Sequence, residues 1–208
     1  MIGEPTDNKS QEVVERALVE KIEAVPFHIQ DRVDILLVKA GVKPAALITE
    51  LDKPENAERL KGLKELLDAL SLPNNFEKTL LSVENADGIF EGSIVNILVG
   101  KDQLGLENLE KARKEKSAMA EGLALGYPES AVSSYVENAP RVMRWQLPEE
   151  LKSEYYYPFI KFQLSQENWP LEIETARKWA DNVKMNSTML FDHITAYTKA
   201  KEAAMPNE

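Results

Sequence analysis

The sequence predicts a mostly helical α+β protein with a small sheet of two or three strands in its C-terminal part. Apolar residues recur at helical spacing over most of the 208 residues. Two short runs, residues 79–83 and 93–99, are rich in β-branched side chains and are separated by turn-forming residues, which predicts a β-hairpin. Because two strands alone are marginally stable in water, we expect them to pack on helices or to gain a third strand. Residues 160–165, which alternate apolar and polar, fit either that third strand or a helix.

The N-terminal part reads as a series of helices. Apolar residues four apart predict a first helix over residues 14–22, and a continuous apolar stripe predicts a second over residues 29–40, with Gly41 as its stop. Residues 44–51 are expected to form a short third helical segment. Residues 54–72 separate apolar from charged side chains and predict a fourth, amphipathic helix.

The C-terminal part is expected to contain the hairpin and four or five helices. One helix is predicted from about residue 102 to the Gly122 region, with Lys116 interrupting its apolar stripe, and a long last helix starts at Pro170. Asn186 and Ser187 predict a bend or a break in that last helix. The change of pattern near residue 73 predicts an N-terminal helical segment, residues 1–73, and a mixed C-terminal domain, residues 74–208, with one continuous domain as the alternative.

Composition and charge disfavour several classes of protein. The formal net charge is −10, and the densest basic cluster, residues 111–116, is interleaved with glutamates, so nucleic acid is an unlikely partner. There is no cysteine, which removes disulfides, thiolate metal sites and cysteine nucleophiles. The two histidines lack metal-ligand spacing and no glycine-rich phosphate loop occurs, so we expect no metal and no cofactor. The absence of a long apolar run and of a signal-peptide pattern in the first ten residues predicts a cytoplasmic protein without a membrane segment.

The most distinctive stretch is residues 122–132, where one helix is predicted to end and another to begin. Gly126 suits the left-handed turn that closes a helix, and Pro128 suits the first turn of the next one. Such a junction could hold a small polar ligand. The candidate ligand-binding residues, which carry hydroxyl, carboxylate or guanidinium groups, are Tyr127, Glu129, Ser130, Ser134, Arg141 and Arg144. The alternative is that glycine and proline only punctuate the chain, and that the two serines, opposite the apolar stripe of their helix, face water.

An aromatic region forms the second unusual feature. Its members are candidates for a subunit interface: Trp145, Tyr155, Tyr156, Tyr157, Phe159 and Trp169. The alternative is that they fill the core. Three consecutive tyrosines cannot all face one way on a helix, so at least one is expected at the surface.

Residues 94–136 resemble a group of uncharacterised prokaryotic proteins, a domain of unknown function with a Gly-Tyr/Phe-Pro-x-Cys-Cys-Val segment after a helix. The resemblance rests on the run Ile94–Asp102, the helix after it and the Gly126-Tyr127-Pro128 sequence. The two cysteine positions would be Ser130 and Ala131, so any thiol chemistry of that group is absent here. The resemblance implies a mixed helix-and-strand fold and a prokaryotic cytoplasmic setting, and it implies no activity.

Two functional hypotheses follow, and neither assigns catalytic residues. The first is a non-catalytic soluble binding or regulatory protein that self-associates as a homodimer or other homo-oligomer. The alternative is a metal-independent hydrolase or transferase that acts on a small polar metabolite at residues 122–134. A nucleic-acid-associated factor would require a basic face hidden within the overall negative charge.

Overall fold

The structure, a computed structural model, describes residues 14–85 and 88–204, and helices account for most of them. The helices are α1 (Arg16–Ala24), α2 (Ile29–Lys39), α3 (Ala57–Ala69), α4 (Gln103–Lys114), α5 (Ala118–Ala124), α6 (Glu129–Val136), α7 (Glu149–Lys152), α8 (Trp169–Asn186) and α9 (Thr188–Ala203). The strands are β1 (Ala45–Leu51), β2 (Asn74–Asn85), β3 (Gly88–Gly100), β4 (Arg141–Val142) and β5 (Leu164–Ser165). Short 3-10 turns occupy Pro54–Asn56, Arg144–Gln146 and Tyr157–Phe159.

The main sheet is antiparallel, with the strand order β1-β3-β2. The predicted hairpin is present as β2 and β3, which stay in register from Asn74 opposite Val99 to Asn85 opposite Gly88. The third strand is β1, where we expected helix. A short apolar run cannot be assigned to helix or strand by periodicity, and here pairing of Ala45 with Gly100 decides it. The prediction that the sheet lies in the C-terminal part is therefore wrong, because β1 precedes residue 73.

Residues 160–165 do not join that sheet. Within this segment only Leu164 and Ser165 form a strand, β5. They pair with β4 in a separate two-stranded sheet. The residues before them run from a 3-10 turn into an irregular segment. Ile160, Phe162 and Leu164 of this segment are buried. The alternating pattern therefore marks which side chains face the core, although most of the segment pairs with no other strand.

The helix predictions are largely confirmed, and two of the long ones are divided. Gly41, with a φ of 70°, follows α2 as expected. The predicted helix after residue 102 is two helices, α4 and α5, separated at Lys116, whose φ of 52° lies in the left-handed region. The last helix is divided at Ser187, whose side chain accepts a hydrogen bond from the Leu190 N–H and so caps α9.

One hydrophobic core contains residues from both predicted parts of the chain. It draws buried side chains from Val14 in the N-terminal part to Ile194 on α9, with α2 at its centre. Leu36 and Leu37 of α2 and Trp179 of α8 are almost fully buried within it. A shared core does not test whether the two parts fold independently, so the predicted domain boundary at residue 73 stays a prediction.

Within residues 14–85 and 88–204, no helix combines the length and the apolar character needed to cross a membrane.

Candidate functional site

The junction between α5 and α6 depends on two glycines. Gly126 ends α5 with a φ of 79°, and the Tyr127 N–H returns to the Gly122 carbonyl oxygen at 3.1 Å. A Cβ atom at Gly122 would lie only 2.7 Å from a methyl carbon of Val132. Gly122 is therefore needed because α5 and α6 pack against each other at that point.

Gly126 also fixes the junction to a distant loop. A Cβ atom there would lie 2.8 Å from the Cδ atom of Pro44. The Lys43–Pro44 loop connects α2 to β1, so the junction packs against the segment that leads into the first strand of the main sheet. This contact positions Tyr127 beside Lys43, whose Nζ atom lies 5.7 Å from the centre of the tyrosine ring.

A cavity of about 370 Å³ lies on the other side of the junction, and we call it the junction cavity. Its walls come from α5, α6 and the irregular segment before β5. The lining residues are Ala118, Glu121, Gly122, Leu125, Tyr127, Ala131, Val132, Tyr135, Lys161, Phe162 and Gln163. Most of this wall is apolar, and a few polar groups interrupt it, which is the usual character of a small-molecule site.

Lys161 is the one cation in that lining and belongs to a buried group of charges. Its Nζ atom lies 3.1 Å from Asp34 Oδ2 and donates to the Gln30 carbonyl oxygen at 3.2 Å. Lys43 donates to the other oxygen of Asp34 at 2.8 Å. The exposed fractions of the side chains are 10% for Lys161, 17% for Asp34 and 2% for Lys43. We refer to Asp34, Lys43 and Lys161 as the charge cluster.

Aromatic rings and the carboxylate together compensate Lys43. Its Nζ atom lies 4.9 Å from the centre of the Trp179 ring as well as 5.7 Å from that of Tyr127, so both ring faces stabilise the cation. Phe162 packs against both rings, with centroid distances of 5.7 Å to Tyr127 and 5.9 Å to Trp179. The aromatic group therefore separates Lys43 from the cavity and leaves Lys161 at its wall.

The pKa shifts in the cluster follow from burial and from the unequal number of charges. Burial lowers the pKa of Lys161, while the carboxylate of Asp34 opposes that shift and Lys43 adds to it. Burial acts to raise the pKa of Asp34, but the two ammonium groups outweigh it and hold this pKa below its usual range. Burial raises the pKa of Tyr127, so its hydroxyl stays protonated and remains a hydrogen-bond donor.

The predicted ligand-binding residues divide into those at the cavity and those beside it. Tyr127 lines the cavity. Ser130 does not face water: its hydroxyl donates to Glu172 at 2.6 Å, and this buried carboxylate also accepts the Ser165 N–H at 2.8 Å. Glu129 is exposed and Ser134 is half-buried, and neither lines the cavity.

The two predicted arginines hold the neighbouring structure. Arg141 donates to the Gln163 side-chain carbonyl oxygen at 2.7 Å, and thereby orients a residue of the cavity wall. Its guanidinium lies 5.5 Å from the centre of the Tyr135 ring, another part of that wall. Arg144 is further away and pairs with Glu202 of α9 at 3.1 Å.

The aromatic region is mostly core. Tyr156, Tyr157 and Phe159 are buried within the chain and present no surface to a second copy, and Trp169 packs partly buried against the same core. Tyr155, with 40% of the residue exposed, is the tyrosine that remains at the surface, and Trp145 is 57% exposed. The predicted subunit interface now depends on these two side chains.

The sequence reasoning missed the charge cluster. Asp34, Lys43 and Lys161 come from three separate parts of the chain, and no local spacing connects them. One signal was present, because Lys161 is a single charge between the apolar residues Ile160 and Phe162 in a segment that is otherwise largely apolar. A lysine in such a segment is rarely buried without a partner.

No set of three or more histidine, aspartate or glutamate side chains in the described part of the chain is placed to hold a metal ion. Neither a protein-family model, nor a curated protein sequence, nor a solved structure matches this chain.

Proposed function

We propose that the protein is a binding protein that takes a small, largely apolar molecule into the junction cavity. The observation that carries this proposal is the cavity itself: about 370 Å³ of space whose lining is mostly apolar and includes a few polar side chains. Its volume is in the range of sites for small organic molecules. Tyr127, which the sequence indicated as a ligand residue, contributes one of the polar groups.

The structure of the junction supports a preformed site. Gly122 allows the close packing of α5 and α6, and Gly126 holds the junction against Pro44, so the cavity walls are positioned by contacts that leave little freedom. Binding to a preformed site avoids the entropic cost of ordering it, and this favours a small ligand that makes few contacts.

Two matched substitutions on α5 test this proposal. Ala118 lines the junction cavity, whereas Ala120 lines a separate cavity beside α4. We expect 1-octanol to bind the wild-type protein in a calorimetric titration, Ala118→Leu to weaken that binding about tenfold by filling the space, and Ala120→Leu to leave it unchanged. If 1-octanol does not bind, or if the two variants behave alike, the cavity is not a ligand site.

Self-association is a separate proposal that comes from the aromatic composition. The exposed side chains of Trp145 and Tyr155 support it. Sedimentation velocity over a range of concentrations tests it: an oligomer that dissociates in Trp145→Ala would support the interface, and a monomer at high concentration would contradict it.

A further inference from the structure

We infer that the ligand of the junction cavity carries one anionic group, a carboxylate or a comparable oxyanion, which binds at Lys161. This inference rests on the proposed binding function and names the chemical class of the ligand. The position of Lys161 at the cavity wall and the hydrogen-bond donors of the lining side chains support it.

The charge cluster holds two cations and one anion. Asp34 is shared between Lys43 and Lys161, at 2.8 Å and 3.1 Å. Burying a charge costs free energy unless the charge is compensated, so both lysines need favourable partners. The aromatic rings of Tyr127 and Trp179 stabilise Lys43, whereas among the described side chains no ring lies over Lys161. Lys161 is therefore the cation of the cluster that lies at the cavity wall and takes no support from a ring.

Two other carboxylates lie near the cluster and bear on its balance of charge. Glu121 lines the cavity, but it is paired with Arg113 of α4 at 3.4 Å. Asp31, on the same helix as Asp34, has a pKa raised to about 6, first by burial and then by the Asp34 carboxylate. Near neutral pH it is therefore mostly ionised, and its carboxylate offsets part of the positive charge of the cluster.

Three side chains that line the cavity, Tyr127, Lys161 and Gln163, carry hydrogen-bond donors. The Lys161 ammonium has three N–H groups, and described residues accept two of them, at Asp34 and at the Gln30 carbonyl oxygen. Tyr127 contributes a hydroxyl that no described side chain engages, and burial keeps it protonated. Arg141 donates a hydrogen bond to the side-chain carbonyl oxygen of Gln163. The side-chain NH₂ group of Gln163 is therefore the third donor. A carboxylate, which only accepts hydrogen bonds, is complementary to such a set.

The matched probes are octanoate and 1-octanol, which share a chain length and differ in charge. We expect the wild-type protein to bind octanoate at least about tenfold more tightly than 1-octanol. In Lys161→Met the octanoate affinity should fall about ten- to a hundredfold, a clearly larger loss than that of the 1-octanol affinity, because only octanoate loses a charged partner. This variant leaves the balanced pair of Lys43 and Asp34 in place, so it is expected to fold, and retained binding of 1-octanol verifies an intact cavity.

A second variant and a second readout do not depend on that substitution. Tyr127→Phe keeps the ring over Lys43 and removes one donor, so octanoate should bind about three- to tenfold more weakly, and 1-octanol should lose less affinity than octanoate does. Calorimetry in two buffers of different ionisation enthalpy, repeated at increasing pH, should show proton uptake when octanoate, but not 1-octanol, binds, because an anion beside Lys161 raises the pKa that burial lowers.

The outcomes separate the two proposals. If 1-octanol binds and octanoate binds no better, or if Lys161→Met and Tyr127→Phe leave octanoate binding unchanged, the anionic class is wrong while the cavity remains a ligand site. If neither probe binds the wild-type protein, the proposed binding function fails and the inference fails with it.

Discussion

Replacement of Gly126 by alanine measures how strongly the junction depends on its contact with Pro44. Alanine at a φ of 79° costs about 1–2 kcal/mol, because its Cβ atom crowds the backbone in the left-handed region. The new Cβ atom would also lie 2.8 Å from Pro44 Cδ, and forcing an extra carbon into a packed site costs about 1–3 kcal/mol. Together these terms predict a loss of about 2–5 kcal/mol in the free energy of unfolding.

Gly41 provides the matched control for this measurement. Its φ of 70° is similar, yet a Cβ atom there would meet nothing within 4 Å. Gly41→Ala should therefore cost only the backbone part, about 1–2 kcal/mol, so that the difference between the two variants isolates the contact with Pro44.

Urea denaturation of both variants and of the wild type gives the three free energies of unfolding. We expect Gly126→Ala to be less stable than Gly41→Ala by about 1–3 kcal/mol. Equal losses in the two variants would refute the reasoning, since they would mean that Pro44 moves aside without cost. In that case the junction would not be held against the Lys43–Pro44 loop, and the cavity would not be preformed.

Two further substitutions test the charges and hydrogen bonds beside the site. Burial and the Asp34 carboxylate raise the pKa of Asp31 from 3.8 to about 6, so its ionised form destabilises the fold above that pH. Asp31→Asn should therefore raise the free energy of unfolding by about 1–2 kcal/mol near pH 8, after allowance for solvent screening, and this gain should disappear as the pH falls through 6 to about 4. A gain that is equal at both pH values in urea denaturation would contradict the assignment. Ser130→Ala removes a hydrogen bond to the buried Glu172 and should cost about 1–3 kcal/mol, whereas Ser134→Ala, one turn along the same helix, should change stability by less than about 0.5 kcal/mol. Similar losses in the two serine variants would show that the Glu172 contact is not a major support of α6.

The fold was predictable where local signals decide it. The apolar stripe of α2 and the Gly41 stop act within one helix, and the paired strands β2 and β3 follow each other in the chain. The strand β1 was not predictable in this way, because its short apolar run fits helix and strand equally. Pairing with β3, about fifty residues later in the chain, makes it a strand.

The candidate site was predictable only in part. Gly126 and Tyr127 mark the junction in the sequence, because a positive φ favours glycine and because a helix end leaves a recognisable local pattern. The apolar periodicity of the helix puts Ser130 on the side opposite the buried stripe, which favours exposure to water. In the structure Ser130 donates a hydrogen bond to the buried carboxylate of Glu172 on α8. No residue close to Ser130 in the sequence indicates this contact.

The sequence by itself determined that this chain is rich in helix, contains a hairpin, and turns sharply at Gly126, since periodicity and glycine conformation act over a few residues. Only the tertiary structure decided that Lys161 lies at the wall of a cavity and shares Asp34 with Lys43. The reason is that burial and charge compensation depend on which distant segments meet, and the energy of a lysine changes greatly with the carboxylates and water around it.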